Sequence, residues 1–195
     1  HMQYLFQIFY RLNSGGNKLY NQEIRNCIFQ GNFNTLLKDL ARSPDWLNAN
    51  HLTKEKVETS RFNNEERILR FFAFYYDLDR YKGKLASFLN DFMRSHKDLT
   101  ENVKNEYASL LSRSLKVAME IEKLSTSKNV FEAVLIGIAA NISALETKGA
   151  DVINKLYKDV EGDKNFSEEA LKEGLGSLEK VQNRINAAKI IFARG

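Results

Sequence analysis

The chain has 195 residues, and its 29 Lys plus Arg against 25 Asp plus Glu give a formal net charge of +4. This length fits one compact domain or two small ones, and a hydrophobic content of 43% is enough to build a core, which excludes wholesale disorder. The single cysteine, Cys27, excludes a disulfide framework and a multi-thiolate zinc site, and the absence of an apolar run long enough for a membrane span leads us to expect a cytoplasmic protein.

The N-terminal end divides into a remnant, an apolar stretch and a loop. His1-Met2 is typical of a cleaved affinity tag, so residues 1–2 are set aside and the remainder is expected to be a fragment of a longer protein. The apolar stretch 4–12 stops at the cluster Asn-Ser-Gly-Gly-Asn over 13–17, which predicts a loop. Asn21 is a plausible N-cap for a helix that ends at Gly31.

The rest of the chain alternates helical patterns with short polar breaks. Helices are predicted at residues 34–40, from the Ser-Pro-Asp start at 43–45, and then, after a polar loop over 51–61, at 64–78, 84–93, 100–121, 130–143, 150–160, 167–175 and 178–192. Residues 64–78 and 130–143 are apolar around most of the helix circumference, which is typical of burial on several sides. The fold class predicted is all-α, an irregular bundle of about nine helices with two buried central helices.

Most chemistry-bearing patterns favour structural roles. His51 and His96 are the only histidines outside the remnant, and both lie in polar surroundings that suggest no third partner. No phosphate-binding loop of the Walker type occurs and no ligand set for a metal is present. The aromatic run over residues 71–76 has the spacing of a core. We therefore expect no catalytic residue, no metal and no cofactor in this fragment, and no enzymatic activity from it alone.

The segment 11–18 is the exception. Its glycines can turn backbone N–H groups toward an anion, and cationic and amide side chains flank them. The candidate phosphate- or nucleotide-binding residues are Phe9, Arg11, Asn13, Ser14, Gly15, Gly16 and Lys18. The same letters also describe an ordinary turn, in which Asn13 only starts the turn and Arg11 pairs with an acid such as Glu23.

The sequence from Phe9 to Asn26, F-Y-R-L-N-S-G-G-N-K-L-Y-N-Q-E-I-R-N, resembles a segment of the GmrSD-type proteins, also known as domain of unknown function 262. Within it Gln22, Glu23, Arg25 and Asn26 would support the F-x-R-x-N motif. Residues 66–74, 81–93 and 181–185 also resemble the helical part of that family.

The resemblance implies a role in restriction and anti-phage defence. Family members begin with a ParB- and sulfiredoxin-like domain whose D-G-Q-Q-R motif is thought to hydrolyse nucleotides, and that motif is absent here. Residues 3–20 would then be the end of a missing ParB-like domain and 21–195 the helical domain. The full-length parent would use a nucleoside triphosphate, with Mg²⁺ as a candidate metal, and its own N-terminal domain, DNA and a second copy are the expected partners.

Two functions remain open on the sequence. In the first, the helical domain supports the nucleotide-hydrolysing domain of a restriction protein, Arg11 and Asn13 complete the site, and a basic face contacts DNA. In the second, the chain is a non-catalytic interaction or oligomerisation module, and the Gly15-Gly16 loop is only a turn.

Overall fold

The computed structural model describes Tyr4, Ile8 and residues 19–195, and it is all-helical over that part of the chain. Eleven α-helices are joined by short turns, with 3₁₀ segments at Leu78–Arg80 and Lys164–Phe166. In chain order the helices are α1 (Asn21–Ile28), α2 (Asn32–Ala41), α3 (Pro44–Ala49), α4 (Lys54–Glu58), α5 (Asn63–Asp77), α6 (Leu85–Ser95), α7 (Glu101–Ala118), α8 (Lys128–Ala140), α9 (Ile142–Leu145), α10 (Ala150–Gly162) and α11 (Leu178–Phe192).

Local capping explains several helix starts. Ser43, Thr100 and Ser177 each accept a hydrogen bond from a backbone N–H in the first turn of α3, α7 and α11. These contacts satisfy donors that a helix leaves without intrahelical partners. In α3, Pro44 follows the cap at the first helical position, where its missing N–H removes no hydrogen bond.

Helices α5 and α8 carry much of the core. In α8 every residue over 130–139 is buried, and in α5 the buried apolar side chains are Ile68, Leu69, Phe71, Phe72, Ala73 and Phe74. An aromatic cluster joins α5 to its neighbours: Phe72 stacks on Tyr107 of α7 at 4.7 Å between ring centroids, and Phe33 of α2 packs edge-on to both rings. At the end of the aromatic run 71–76, Tyr76 is 43% exposed.

Helices α8 and α11 approach each other closely. A Cβ added to Gly137 of α8 would lie 2.8 Å from the backbone carbon of Ala188 in α11, well inside normal contact distance. The glycine is therefore required for the two backbones to meet. Asn141, just after α8, also donates its side-chain amide to the carbonyl of Lys189 at 3.0 Å.

The structure corrects the predicted elements at three places. The predicted loop 51–61 contains α4, which begins at the Thr53 cap and is held by Val57, 2% exposed. The predicted helix 130–143 ends at Ala140, and the separate α9 follows. The predicted helix 167–175 is a series of turns. Over residues 19–195 the count is eleven α-helices.

Within residues 19–195, no helix is both long and apolar enough to cross a bilayer.

Candidate functional site: a charged furrow beside α1

The predicted phosphate-binding residues Phe9, Arg11, Asn13, Ser14, Gly15, Gly16 and Lys18 lie outside the described residues. The supporting residues Gln22, Glu23, Arg25 and Asn26 are all on α1, which begins at Asn21. Their contacts define how the chain that follows the F-x-R-x-N motif joins the bundle.

Arg25 is the anchor of α1. Its side chain is 1% exposed, and Nη1 donates to Glu66 Oε2 of α5 at 2.8 Å and to Gln22 Oε1 at 3.0 Å. Its Nε donates to Asn90 Oδ1 of α6 at 2.9 Å. Burial lowers the pKa of Arg25, and the Glu66 carboxylate opposes that shift. One guanidinium thus ties together α1, α5 and α6.

Gln22 and Asn26 are also turned into the bundle. They are 2% and 9% exposed, and Gln22 Nε2 donates to Asn26 Oδ1 at 3.3 Å. The Asn26 side-chain nitrogen has no hydrogen-bond partner in the described part of the chain. These two residues, expected to support a phosphate loop, pack in the interior of the helical domain.

Glu23 points the other way and meets Arg61. Its Oε1 accepts from Arg61 Nε at 3.0 Å and its Oε2 from Arg61 Nη2 at 2.6 Å, while Oε2 also accepts from the backbone N–H of Tyr20 at 2.7 Å. The hydrogen bond from Arg61 lowers the pKa of Glu23. The Arg61 guanidinium lies 4.0 Å from the centre of the Tyr20 ring. A pairing of Glu23 with Arg11 would therefore share a carboxylate that Arg61 already binds.

Three adjoining cavities run from this ion pair across the N-terminal half of α5, and together they are called the furrow. The first, about 420 Å³, touches Tyr20, Arg61, Asn63 and Glu66. The second, about 120 Å³, shares Asn63 and Glu66 with the first and is also lined by Trp46, Arg67, Arg70, Phe71, Lys128, Phe131, Glu132 and Leu135. The third, about 390 Å³, shares Arg67, Lys128 and Phe131 with the second and extends to His51 and Lys123.

The carboxylates of the second cavity are already paired. Glu66 binds Arg25, and Glu132 accepts two hydrogen bonds from Arg70, at 2.5 Å from Nε and 2.9 Å from Nη2. Two paired guanidinium–carboxylate couples leave no net charge between them. Any further cation in this cavity is therefore in excess.

Arg67 and Lys128 are those cations. The Arg67 guanidinium lies between the rings of Trp46 and Phe131, 5.0 and 5.1 Å from their centroids. Over residues 19–195 it has no hydrogen bond and no carboxylate within 4.0 Å. Burial lowers its pKa, with Glu132 acting in the opposite direction. Lys128 Nζ donates to the neutral Asn63 Oδ1 at 3.3 Å.

Sequence reasoning did not single out Arg61, Arg67 or Lys128. Arg67 is brought to Trp46 and Phe131 by packing between α3, α5 and α8, and no local motif marks it. His51 lines the third cavity, whereas His96 is half-buried and stacks on Phe92 at 3.9 Å, a packing role. Among the residues that the structure describes, no group of three or more His, Cys, Asp or Glu is arranged to hold a metal.

No protein-family model, curated protein or solved structure matches this chain.

Proposed function

We propose that this chain is the helical domain of a GmrSD-type, nucleotide-dependent restriction protein, built around the two buried central helices α5 and α8. In this proposal the bundle holds the F-x-R-x-N segment, with Phe9, Arg11 and Asn13, against the parent's own ParB-like domain. The parent binds the nucleoside triphosphate and any Mg²⁺, and the helical domain by itself does not turn over a substrate.

The observation that carries this proposal is the anchoring of α1 by Arg25. Because Arg25 binds α5 and α6 from a fully buried position, the chain that follows the F-x-R-x-N segment is fixed to the bundle. A rigid attachment supports a role in positioning groups for phosphate recognition, since productive contacts tolerate little displacement.

A second element of the proposal is contact with DNA along the furrow. Arg67 and Lys128 are cations without carboxylate partners, and Arg61 and Lys123 lie at the two ends of the row of cavities. Cations arranged along a surface release counterions when they bind phosphates, so the affinity for DNA falls steeply as salt rises.

Fluorescence anisotropy of labelled duplex DNA at several salt concentrations tests the DNA contact. We expect binding by this chain at low salt that weakens steeply as salt increases. No binding at low salt would favour the interaction module instead, and sedimentation of the same sample would then show whether a second copy is the partner.

The role of the motif is tested in the full-length parent. Arg11→Ala is expected to lower nucleotide hydrolysis or phage restriction by roughly tenfold or more, because loss of a charge-assisted contact costs on the order of 1.5 to 3 kcal/mol. The melting temperature of the present chain should change little with the same substitution. Wild-type activity of the Arg11→Ala parent, or unfolding of the Arg11→Ala fragment, would assign Arg11 a structural role.

A further inference from the structure

The second cavity of the furrow contains a guanidinium whose donors are unused. Arg67 is held in place by the faces of Trp46 and Phe131, so its position is fixed without hydrogen bonds. Within residues 19–195 no acceptor takes its N–H groups. A guanidinium presents a planar fork of donors that matches the oxygens of a phosphate, and ordering it in advance reduces the entropy lost on binding.

The protein offers this cation only a share of one counter-charge, because Glu132, which raises the pKa of Arg67 against the effect of burial, is already bound by Arg70. Glu66 is engaged by Arg25 and Glu132 by Arg70, and Lys128, which lines the same cavity, contacts only the neutral amide oxygen of Asn63 among the described residues. Burial of a positive charge without a partner is unfavourable, as the lowered pKa of Arg67 reflects. A bound anion would relieve this burial and would satisfy the donors together.

We infer that the second cavity binds the phosphate group of a phosphate ester, with Arg67 and Lys128 as its ligands. At about 120 Å³ the second cavity is the smallest of the three and is lined by both cations, which suits a phosphate group. The adjoining cavity of about 390 Å³ is in the range of small-molecule sites and shares Arg67 and Lys128. The remainder of the ester therefore extends toward His51, Met119 and Leu124.

This inference rests on the furrow contact of the proposed function, since it assigns Arg67 and Lys128 to one phosphate group, but it uses none of the F-x-R-x-N segment. Failure of the Arg11→Ala experiment would leave the cavity site standing, and failure of the cavity site would leave the role of Arg11 standing.

The chain carries its own reporter for the test. Trp46 is the single tryptophan, it is 1% exposed, and its ring contacts the Arg67 guanidinium. Tryptophan emission is followed while the 195-residue protein is titrated with inorganic phosphate, adenosine monophosphate or adenosine, and isothermal calorimetry measures the same three probes. Saturable binding of phosphate and of adenosine monophosphate, without binding of adenosine, is the expected result.

Two variants and two charge-matched controls separate a site from general attraction. Arg67→Met keeps an unbranched stem between the rings, and Lys128→Gln changes an exposed residue. Each should weaken phosphate binding by about tenfold or more. Arg80→Met and Lys172→Gln remove the same charge from exposed positions elsewhere and should leave the affinity unchanged.

The source of the phosphate follows from competition. A duplex DNA that displaces adenosine monophosphate from the wild type identifies the nucleic-acid backbone as the ligand, and failure to displace it identifies a free phosphate ester. The site would be overturned by absence of phosphate binding or by adenosine binding as strong as that of the monophosphate. Wild-type affinity for phosphate in both Arg67→Met and Lys128→Gln would overturn it as well.

Discussion

Arg25 of α1 and Arg67 of α5 lie on helices that contact each other, and burial lowers the pKa of both. They differ in what surrounds the charge. Arg25 donates to a carboxylate and two side-chain amides drawn from three helices. Arg67 is held by two aromatic rings and donates to no group that the structure describes.

The difference separates a structural arginine from one suited to a ligand. A guanidinium with its donors satisfied contributes to stability, and its removal leaves buried partners without hydrogen bonds. A guanidinium held only by ring faces makes no hydrogen bond that its removal would break, and its donors are left for another molecule. Replacing Arg25 should therefore lower the free energy of unfolding, whereas replacing Arg67 should weaken ligand binding and change the free energy of unfolding little.

The largest expected loss of stability comes from the carboxylate that neutralises the arginines around α8. Glu132, 7% exposed, binds Arg70 through two hydrogen bonds and lies close enough to influence Arg67 and Arg184. Glu132→Gln leaves these cations without compensation and should cost about 4 kcal/mol, or roughly 8 to 16 °C in melting temperature. Thermal unfolding followed by circular dichroism measures it.

Glu146→Gln is the matched control, because Glu146 also accepts two hydrogen bonds from one arginine, Arg113, but at an exposed site. Equal losses in the two variants would contradict the role given to burial. Added phosphate should restore part of the melting temperature of Glu132→Gln, since an anion at Arg67 replaces some of the missing negative charge.

Arg25→Met is expected to cost about 3 kcal/mol, somewhat less than Glu132→Gln, because water can reach the Glu66 side chain, which is 30% exposed. The side-chain amides of Gln22, which is buried, and Asn90, which is half-buried, lose their shared donor in the same variant. Chemical denaturation gives the free energy of unfolding. Arg113→Met is the control and should melt close to the wild type, so a similar loss there would refute the anchoring role of Arg25.

Glu65 is a buried charge without full compensation, so removing its charge should raise the stability of the fold. Its side chain is 1% exposed, Oε2 has no partner among the described residues, and burial raises its pKa above the ordinary 4.5. The folded state therefore holds this proton more tightly than the unfolded state, and stability falls as pH rises from the ordinary value through the raised one. Glu65→Gln should raise the melting temperature at pH 7 by a few degrees.

That gain should vanish near pH 4, where the wild-type carboxyl is protonated in the folded state. Melting curves of both proteins between pH 4 and pH 7 give the difference in melting temperature. The other carboxyl groups are the same in both proteins, so their contributions cancel in that difference. A lower melting temperature of Glu65→Gln at pH 7 would mean that the contact with Arg42, 3.4 Å away, outweighs burial.

The smallest effect on stability is expected for Arg67→Met in phosphate-free buffer, within about 1 kcal/mol of the wild type, because no hydrogen bond to a described residue is lost. Adding phosphate should raise the melting temperature of the wild type and leave that of Arg67→Met unchanged. A large loss in buffer alone would show that the contacts with Trp46 and Phe131 are structural.

The sequence predicts the all-helical class because apolar periodicity is a local signal. Residues 130–143 are apolar on nearly every side, and burial over 130–139 agrees with that pattern. The five-residue α4 is too short to show a period, and its position depends on the Thr53 cap and on Val57.

The segment 167–175 shows a competing interaction. Its backbone carbonyls accept hydrogen bonds from side chains of α11: Lys180 Nζ reaches the carbonyls of Ala170 and Glu173, and Arg184 reaches that of Leu175. Carbonyls satisfied in this way do not need the N–H groups of a helix, and helix propensity alone cannot reveal such distant donors.

The candidate site was less predictable than the fold. The partners of Arg25 on α5 and α6 are 41 and 65 residues away in sequence, so no local pattern shows that its donors are used. The same holds for Arg67, whose significance depends on which carboxylates its neighbours have already bound. Sequence identifies cations, but only packing determines which of them are neutralised.

The close approach of Gly137 and Ala188 has a consequence for synthesis on the ribosome. Because α8 reaches its packed state only when α11 lies against it, the backbone around Gly137 lacks its contact surface until residue 188 has left the exit tunnel. The most apolar helix of the bundle is thus exposed while the following 50 or so residues are made, a few seconds at ordinary elongation rates. During that interval the nascent chain presents α8 to chaperones and to other chains.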